Sequence, residues 1–329
     1  MIDPAFGDLG ERLALGKSLV SRDSDGVKRS VDHLPEGKRR ELSLVVQMIR
    51  EGFAKAIAHR TMPRFRNGKL LKIILFGSYA RGDWVEDPVG RYFSDYDLLV
   101  VVNHDDLTDV PEFWLATEDR VLEALSEGTW LRTPVSLIYH SIDDVNEKLR
   151  LGRYFFIDIL RDGIVLFEEP DSLFVEPQPL SAAEALAETQ EYFGDRFESA
   201  GEFIDDYRSN LEKGRLKKAA FELHQATERL YQCLFLVRTL YTPKTHNLNR
   251  LRSLSEDMEP TLKQVWPSTN KEERQAYARL REAYIKARYS REYRITAAQL
   301  TWLGERVSLL QSLVERACLA RLATLEQAA

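Results

Sequence analysis

Two short apolar runs with a polar loop between them stand out in the first half of the chain. Leu71 to Phe76 is branched, apolar and followed by a glycine, which is typical of a buried strand. Tyr96 to Val102 reads YDLLVVV and predicts a second buried strand. The small and charged residues lie between these runs, so we expect the chemistry of the protein at the ends of these two strands.

Further helices and strands are predicted on both sides of this pair. Glu41 to His59 and Pro111 to Gly128 repeat apolar residues at helical spacing, and a proline and a glycine bound the second helix. Thr133 to Tyr139 and Ile164 to Phe167 predict two more strands. We therefore expect a domain of sheet and helices that ends near Glu169.

The pattern becomes entirely helical after a proline-rich linker. Residues 170–180 contain three prolines, which discourage helix and central strand because proline lacks a backbone donor. The helices predicted beyond the linker are Ser181 to Asn210, Gly214 to Leu240, Asn247 to Glu256, Lys271 to Tyr289 and Thr296 to Leu325, which predict an up-and-down bundle. The expected division is an N-terminal arm at 1–40, a sheet domain at 41–169, the linker at 170–180 and a helical domain at 181–329.

The turn after the first strand has the features of an anion site. Gly77 lets the backbone approach another group, and Ser78 offers a hydroxyl and a favourable helix N-cap. The unpaired N–H groups and the dipole at a helix start suit a phosphate, and Arg81 adds a charged donor one turn later.

Two aspartates at the start of the second strand provide the opposite charge. Asp95 and Asp97 are two residues apart, and such residues of a strand point to the same face. Two carboxylates side by side repel each other unless a cation lies between them, and Mg²⁺ prefers such oxygen ligands. A phosphate site beside a carboxylate pair is typical of metal-assisted phosphoryl or nucleotidyl transfer. Each half alone more often indicates only a capped turn or two solvated aspartates at a strand end.

The two halves in this order resemble a known signature. GSYARGD followed by SDYDLLV is similar to the GS and (S)DxD motifs of the DNA polymerase beta superfamily of nucleotidyltransferases, especially its minimal and kanamycin-type members. The resemblance implies an α+β nucleotidyltransferase fold, a mixed sheet with flanking helices. It also implies that Gly77, Ser78 and Ser94 hold the nucleoside triphosphate, expected to be ATP. Asp95 and Asp97 would then ligate Mg²⁺ and carry the catalysis.

One departure from the family bears on catalysis. The resemblance implies a third carboxylate on a later strand, and the matching strand, TPVSLIY, carries Ser136 at that place. The loop from Asp83 to Phe93 is also longer than in minimal members.

The helical half resembles a second family. AAFELHQATERLYQCLF, followed by THNL, is similar to the HEPN domain that often accompanies minimal nucleotidyltransferases. That resemblance implies an all-α bundle and a homodimer. Active HEPN ribonucleases carry an arginine and then a histidine, whereas RYSREYR here has Tyr293 at the histidine place. We expect Arg288 and Arg291 to bind a nucleotide or another phosphate, and we interpret His224 and Glu228 as a surface pair.

Composition narrows the class of protein and its compartment. With 44% hydrophobic and 30% charged residues and no long apolar run, the 329-residue chain is expected to be soluble and free of membrane contact. The chain starts without a signal-peptide pattern, and Cys233 and Cys318 lie among leucines as buried thiols, so we expect a cytoplasmic protein. The net charge of −6 argues against nucleic-acid binding through overall charge.

Three functions remain open from the sequence. The first is transfer of a nucleoside monophosphate from an NTP to a hydroxyl of a protein or small molecule, with the helical domain binding the acceptor or nucleotide. The second is a catalytically weak, nucleotide-binding regulatory protein of antitoxin type. The third is a HEPN ribonuclease, with RNA bound by the helical domain.

Overall fold

The computed structural model describes residues 28–87, 92–170, 172–243 and 245–329. Most of the predicted arm, residues 1–27, lies outside the described residues. The rest of it packs on the first domain, because Lys28 forms a parallel bridge with Ile164 and Leu34 is buried.

The first domain contains a mixed four-stranded sheet, as predicted. Its strands are β1 (Leu70–Phe76), β4 (Tyr96–Val102), β5 (Val135–Ser141) and β6 (Ile164–Glu168), in the spatial order β5-β4-β1-β6. β4 and β5 are parallel, and the other neighbours are antiparallel. A short hairpin of β2 (Glu86–Asp87) and β3 (Tyr92–Phe93) lies in the long loop between β1 and β4.

Helices flank this sheet on both faces. They are α1 (Glu36–Ile57), α2 (Pro63–Arg66), α3 (Gly77–Arg81), α4 (Leu115–Glu127), α5 (Ile142–Arg150) and α6 (Tyr154–Asp162). α1 begins five residues before the predicted start at Glu41 and thus includes part of the predicted arm. β5 is shifted two residues towards the C-terminus of its prediction. Gly128 ends α4 with a φ of 64°, as the glycine in the sequence indicated.

The helical domain consists of five longer helices. They are α7 (Ala182–Glu212), α8 (Leu216–Thr239), α9 (Leu248–Met258), α10 (Lys271–Tyr289) and α11 (Ala297–Ala328). α7, α10 and α11 each begin at a capping box, formed at Ser181, Asn270 and Thr296, which explains why their starts were predicted to within one residue. No helix in the described part of the chain has the length and apolarity to cross a membrane.

The two faces of the sheet pack into different cores. Leu98 and Val100 of β4 belong to a cluster with α1 and α4, whereas Leu99 and Val101 belong to a cluster that continues through α6 into the bundle. The second cluster includes both buried cysteines, whose sulfur atoms are 3.9 Å apart as free thiols. The sheet and the bundle therefore share one apolar core.

The strand register brings the predicted site residues to one edge of the sheet. Phe76, the last residue of β1, lies opposite Asp97 in the antiparallel ladder. In the parallel ladder with β5, Asp97 lies opposite Ser136. The turn at Gly77, the aspartates and Ser136 are thus neighbours in space.

Candidate active site at the Gly77 turn

The turn from β1 into α3 places the backbone of Gly77 against a carboxylate. Gly77 has a φ of 72°, and a Cβ atom at this position would lie 2.5 Å from Oδ2 of Asp97. Only glycine tolerates this conformation without strain and leaves room for the carboxylate. Ser78 follows as a buried residue of α3, and its Oγ has no hydrogen-bond partner. The prediction that Ser78 is the N-cap was wrong, because Phe76 holds that position.

The two predicted aspartates lie in one site, in which Asp97 is buried and Asp95 is half-buried. Asp97 is 1% exposed, and its Oδ1 has no hydrogen-bond partner. Burial raises the pKa of Asp95 to about 7. Burial also raises the pKa of Asp97, and the negative charges of Asp257 and Asp95 raise it further. The site therefore contains concentrated negative charge that the fold leaves largely uncompensated.

Ser136 lies beside this pair, at the place where the resemblance implies a carboxylate. It is opposite Asp97 in the β4–β5 ladder, it is buried, and its Oγ has no hydrogen-bond partner. A serine hydroxyl at this position supplies no negative charge, so β5 does not provide the third carboxylate.

Two further predicted residues, Arg81 and Ser94, lie around this site. Arg81 forms an ion pair with Asp83, with Nε 3.2 Å from Oδ2, and its positive charge lowers the pKa of Asp97. Ser94 is buried, and its Oγ accepts a hydrogen bond from the backbone N–H of Val85 at 3.0 Å. Ser94 thus closes the base of the long loop, and its contact with a nucleotide stays a prediction.

A helix of the bundle reaches into this site, a contact that the sequence did not indicate. α9 packs on α3. The hydroxyl of its Ser253 lowers the pKa of Asp95, and the backbone N–H of Ser78 lowers the pKa of its Asp257. Ser253 and Asp257 are four residues apart and so share one helix face. The available signal was this polar pair on the face away from the leucines of α9.

Arg250, one turn earlier in α9, places a guanidinium near the same carboxylates. Its positive charge lowers the pKa of Asp97 and Asp95, and its own pKa is lowered by burial. Its Nε and Nη2 atoms are buried and have no hydrogen-bond partner. Arg250 also lines a cavity of about 280 Å³ between β5 and the start of α9, together with Tyr139 and Tyr241.

The oxygen atoms of the site fit a divalent cation. Asp95 and Asp97 are adjacent carboxylates with raised pKa values, and one of their oxygens is buried without a partner. Mg²⁺ binds to such a pair and usually shares it with substrate phosphates. Within the described ranges, no three His, Cys, Asp or Glu side chains already surround one metal position. Asp95 and Asp97 would hold the cation together with phosphate oxygens.

The predicted surface pair in the bundle is buried instead. His224 and Glu228 are 0% and 4% exposed, so the surface interpretation was wrong. Glu228 accepts hydrogen bonds at 3.0 Å from Nδ1 of His246, whose side chain is 57% exposed. The two histidines lower the pKa of Glu228. The carboxylate thus orients an accessible imidazole, as in carboxylate–histidine pairs generally.

The predicted anion-binding arginines lie on another part of the bundle. Arg288 stacks over the rings of Tyr284 and Phe221, and Arg291 is exposed in the turn after α10. α10 packs on α8 and α11, whereas α9 is the bundle helix that packs on α3. Tyr293 is buried, and its hydroxyl donates to the carbonyl of Arg279 at 2.9 Å.

Comparisons with known proteins agree with this arrangement. The nucleotidyltransferase domain model matches residues 63–154, and the HEPN domain model matches residues 193–309. The "Putative protein adenylyltransferase MJ0604" of Methanocaldococcus jannaschii is 33% identical over 102 residues, which are 30% of this chain and 81% of that protein. The chain belongs to the nucleotidyltransferase family. A HEPN domain follows its nucleotidyltransferase domain.

The boundary between the two matched domains runs through the candidate site. The nucleotidyltransferase domain contributes the Gly77 turn, Asp95, Asp97 and Ser136. The HEPN domain contributes α9 with Asp257. The site is therefore composite, and the HEPN domain forms one of its walls.

Proposed function

We propose that this nucleotidyltransferase moves a nucleoside monophosphate from ATP, with Mg²⁺, to a hydroxyl of a protein or small molecule. The observation that carries the proposal is the pairing of Asp95 and Asp97 beside the glycine turn. Buried polar atoms at the site, Oδ1 of Asp97 and Oγ of Ser78, have no partner within the fold. Buried polar atoms without partners are costly, and a bound nucleotide and cation would satisfy them.

Each residue has a definite part in such a transfer. The Gly77 and Ser78 turn donates to phosphate oxygens, and Arg81 adds positive charge. Asp95 and Asp97 would hold Mg²⁺, which would neutralise negative charge on the phosphates. The acceptor oxygen forms a bond to the α-phosphorus, the bond to the β-phosphate breaks, pyrophosphate leaves, and the hydroxyl proton ends in solvent.

The cavity beside Arg250 offers space for the rest of the substrate. It is lined by Arg250, whose positive charge acts on Asp97, and it contains two buried guanidinium nitrogens of Arg250 without partners. An anionic or hydrogen-bond-accepting group of the nucleotide or acceptor would pair with them. The name of the Methanocaldococcus jannaschii relative supports ATP as donor and a protein as acceptor.

Calorimetry of the full chain with each NTP, with and without Mg²⁺, tests the proposal. We expect ATP to bind measurably tighter with Mg²⁺, because the carboxylates repel a bare triphosphate. Incubation with ATP labelled at the α-phosphate and candidate acceptors then identifies the transfer. Nucleotide binding that is the same with and without Mg²⁺, together with the absence of labelled product, would contradict the proposal.

If Ser136 is the only group at the position of the third carboxylate, we expect nucleotidyl transfer to be slow. The regulatory, antitoxin-like alternative corresponds to binding without turnover. The labelling experiment separates the two, because a regulatory protein would bind Mg²⁺–ATP and release it unchanged.

RNA cleavage by the HEPN domain is not expected, although His246 offers one group that exchanges protons near neutral pH. Tyr293, at the place of the ribonuclease histidine, is buried with its hydroxyl engaged. We expect the full chain to leave mixed RNA intact and to bind anions through Arg288 and Arg291. Cleavage that disappears in His246→Ala would instead establish a ribonuclease with a different acid–base group.

The cytoplasmic location and the homodimer remain predictions of the sequence. The homodimer is what the resemblance to HEPN domains implies. It would place two composite sites in one assembly.

A further inference from the structure

A third carboxylate reaches the site from the HEPN domain. The Cβ position of Gly77 lies 2.5 Å from Oδ2 of Asp97 and 3.5 Å from Oδ2 of Asp257. Both carboxylate oxygens therefore lie within 3.5 Å of one point beside Gly77. After burial, Asp257 has the largest effect in raising the pKa of Asp97, ahead of Asp95. Asp257 thus belongs to the same electrostatic cluster as the two family aspartates.

The three carboxylates of this cluster destabilise the folded protein unless a cation binds between them. Three acidic side chains within one site disfavour one another's charged forms. The buried Oδ1 of Asp97 and Oγ of Ser136 have no partner, which independently indicates that the site is shaped for a ligand.

The position of Ser136 explains why a carboxylate from elsewhere is needed. Ser136 lies opposite Asp97 on β5 and contributes only a hydroxyl. α9 approaches the same aspartates from the HEPN side and contributes Asp257. The fold thus replaces a residue missing from the sheet with one from the bundle.

We propose that Asp257 is the third carboxylate of the nucleotidyltransferase site and binds the divalent cation together with Asp95 and Asp97. This inference rests on the proposed function, because it assumes that the site binds a cation and a nucleotide. It makes the HEPN domain a direct contributor of a metal ligand.

Asp257 lies close to the backbone N–H of Ser78, a donor that the proposed function assigns to a phosphate oxygen. Nucleotide binding therefore takes the Ser78 donor and leaves the Asp257 carboxylate for the cation. A carboxylate that merely occupied the phosphate position would inhibit instead, so its removal would tighten nucleotide binding. The two roles predict opposite effects.

Titration of the full-length chain with Mn²⁺, in the presence of a non-hydrolysable ATP analogue, distinguishes them. Asp257→Asn keeps the size of the side chain and removes its charge. We expect its Mn²⁺ affinity to fall by more than the roughly 10- to 100-fold that outer partners of a metal site cost, because a direct ligand is lost. Asp205→Asn is the control, because Asp205 is an exposed carboxylate on α7. It should change Mn²⁺ affinity little.

A second variant keeps the test decisive. Adding Ser136→Asp to Asp257→Asn returns a carboxylate to β5, and we expect part of the Mn²⁺ affinity to return. Unchanged Mn²⁺ affinity in Asp257→Asn would overturn the inference, and so would tighter nucleotide binding in that variant. If Asp95→Asn also leaves Mn²⁺ and nucleotide binding intact, the proposed function itself fails.

Discussion

Asp97→Asn is expected to abolish Mg²⁺-dependent nucleotide binding while leaving the protein folded. Asp97 is the most buried acidic group of the site, and an amide binds Mg²⁺ far less well than a carboxylate. Loss of a direct ligand should cost more than the roughly 10- to 100-fold that outer partners of a metal site cost. Calorimetry with Mg²⁺–ATP measures the loss, and transfer of labelled nucleotide should disappear with it.

The melting temperature of the same variant is a second measurement, and it should not fall although nucleotide binding is lost. The amide removes a buried charge that Asp257 and Asp95 oppose, so the melting temperature without ligand should stay the same or rise. Asp205→Asn, a change of an exposed carboxylate on α7, serves as the control and should alter neither property. A strongly destabilised Asp97→Asn protein would show that this carboxylate is structural.

Gly77→Ala is expected to disable the site through shape alone. The new Cβ atom would lie 2.5 Å from Oδ2 of Asp97, so the carboxylate must move. Moving a catalytic group by about 1 Å can cost about 100-fold in activity. The positive φ of 72° should also cost about 1–2 kcal/mol of unfolding free energy. Nucleotide binding by calorimetry and the unfolding free energy in denaturant measure the two effects.

Gly128→Ala is the matched control for this variant. Gly128 has a similar φ of 64°, but nothing lies within 4 Å of a Cβ atom there. It should lose a similar amount of unfolding free energy and keep full nucleotide binding. Equal loss of binding in both variants would mean that general destabilisation, and not the approach to Asp97, accounts for the effect.

The nucleotidyltransferase half of the site was predictable because its signals are local. The turn at Gly77 and the aspartates at the start of β4 lie within one stretch, and strand alternation places Asp97 on a definite face. The position of Ser136 opposite Asp97 followed from the strand order of the family. Boundaries were less accurate, since the start of α1 has no side-chain cap to mark it.

The contribution of α9 was not predictable, because it depends on contact between distant parts of the chain. Ser253 and Asp257 lie more than 150 residues after Asp97, and no local pattern links them. The surface interpretation of His224 and Glu228 was wrong for a similar reason. Its spacing fitted an exposed helix face, but tertiary packing of α10 against α8 buries it.

The shared core has a consequence for how such proteins can evolve. Leu99 and Val101 of the sheet and Leu230 of α8 belong to one buried cluster that spans both domains. A recombination event that paired this sheet with a different bundle would leave apolar surface unmatched on both partners. The two halves should therefore be inherited as a unit, and substitutions on one side of the cluster should be accompanied by compensating substitutions on the other.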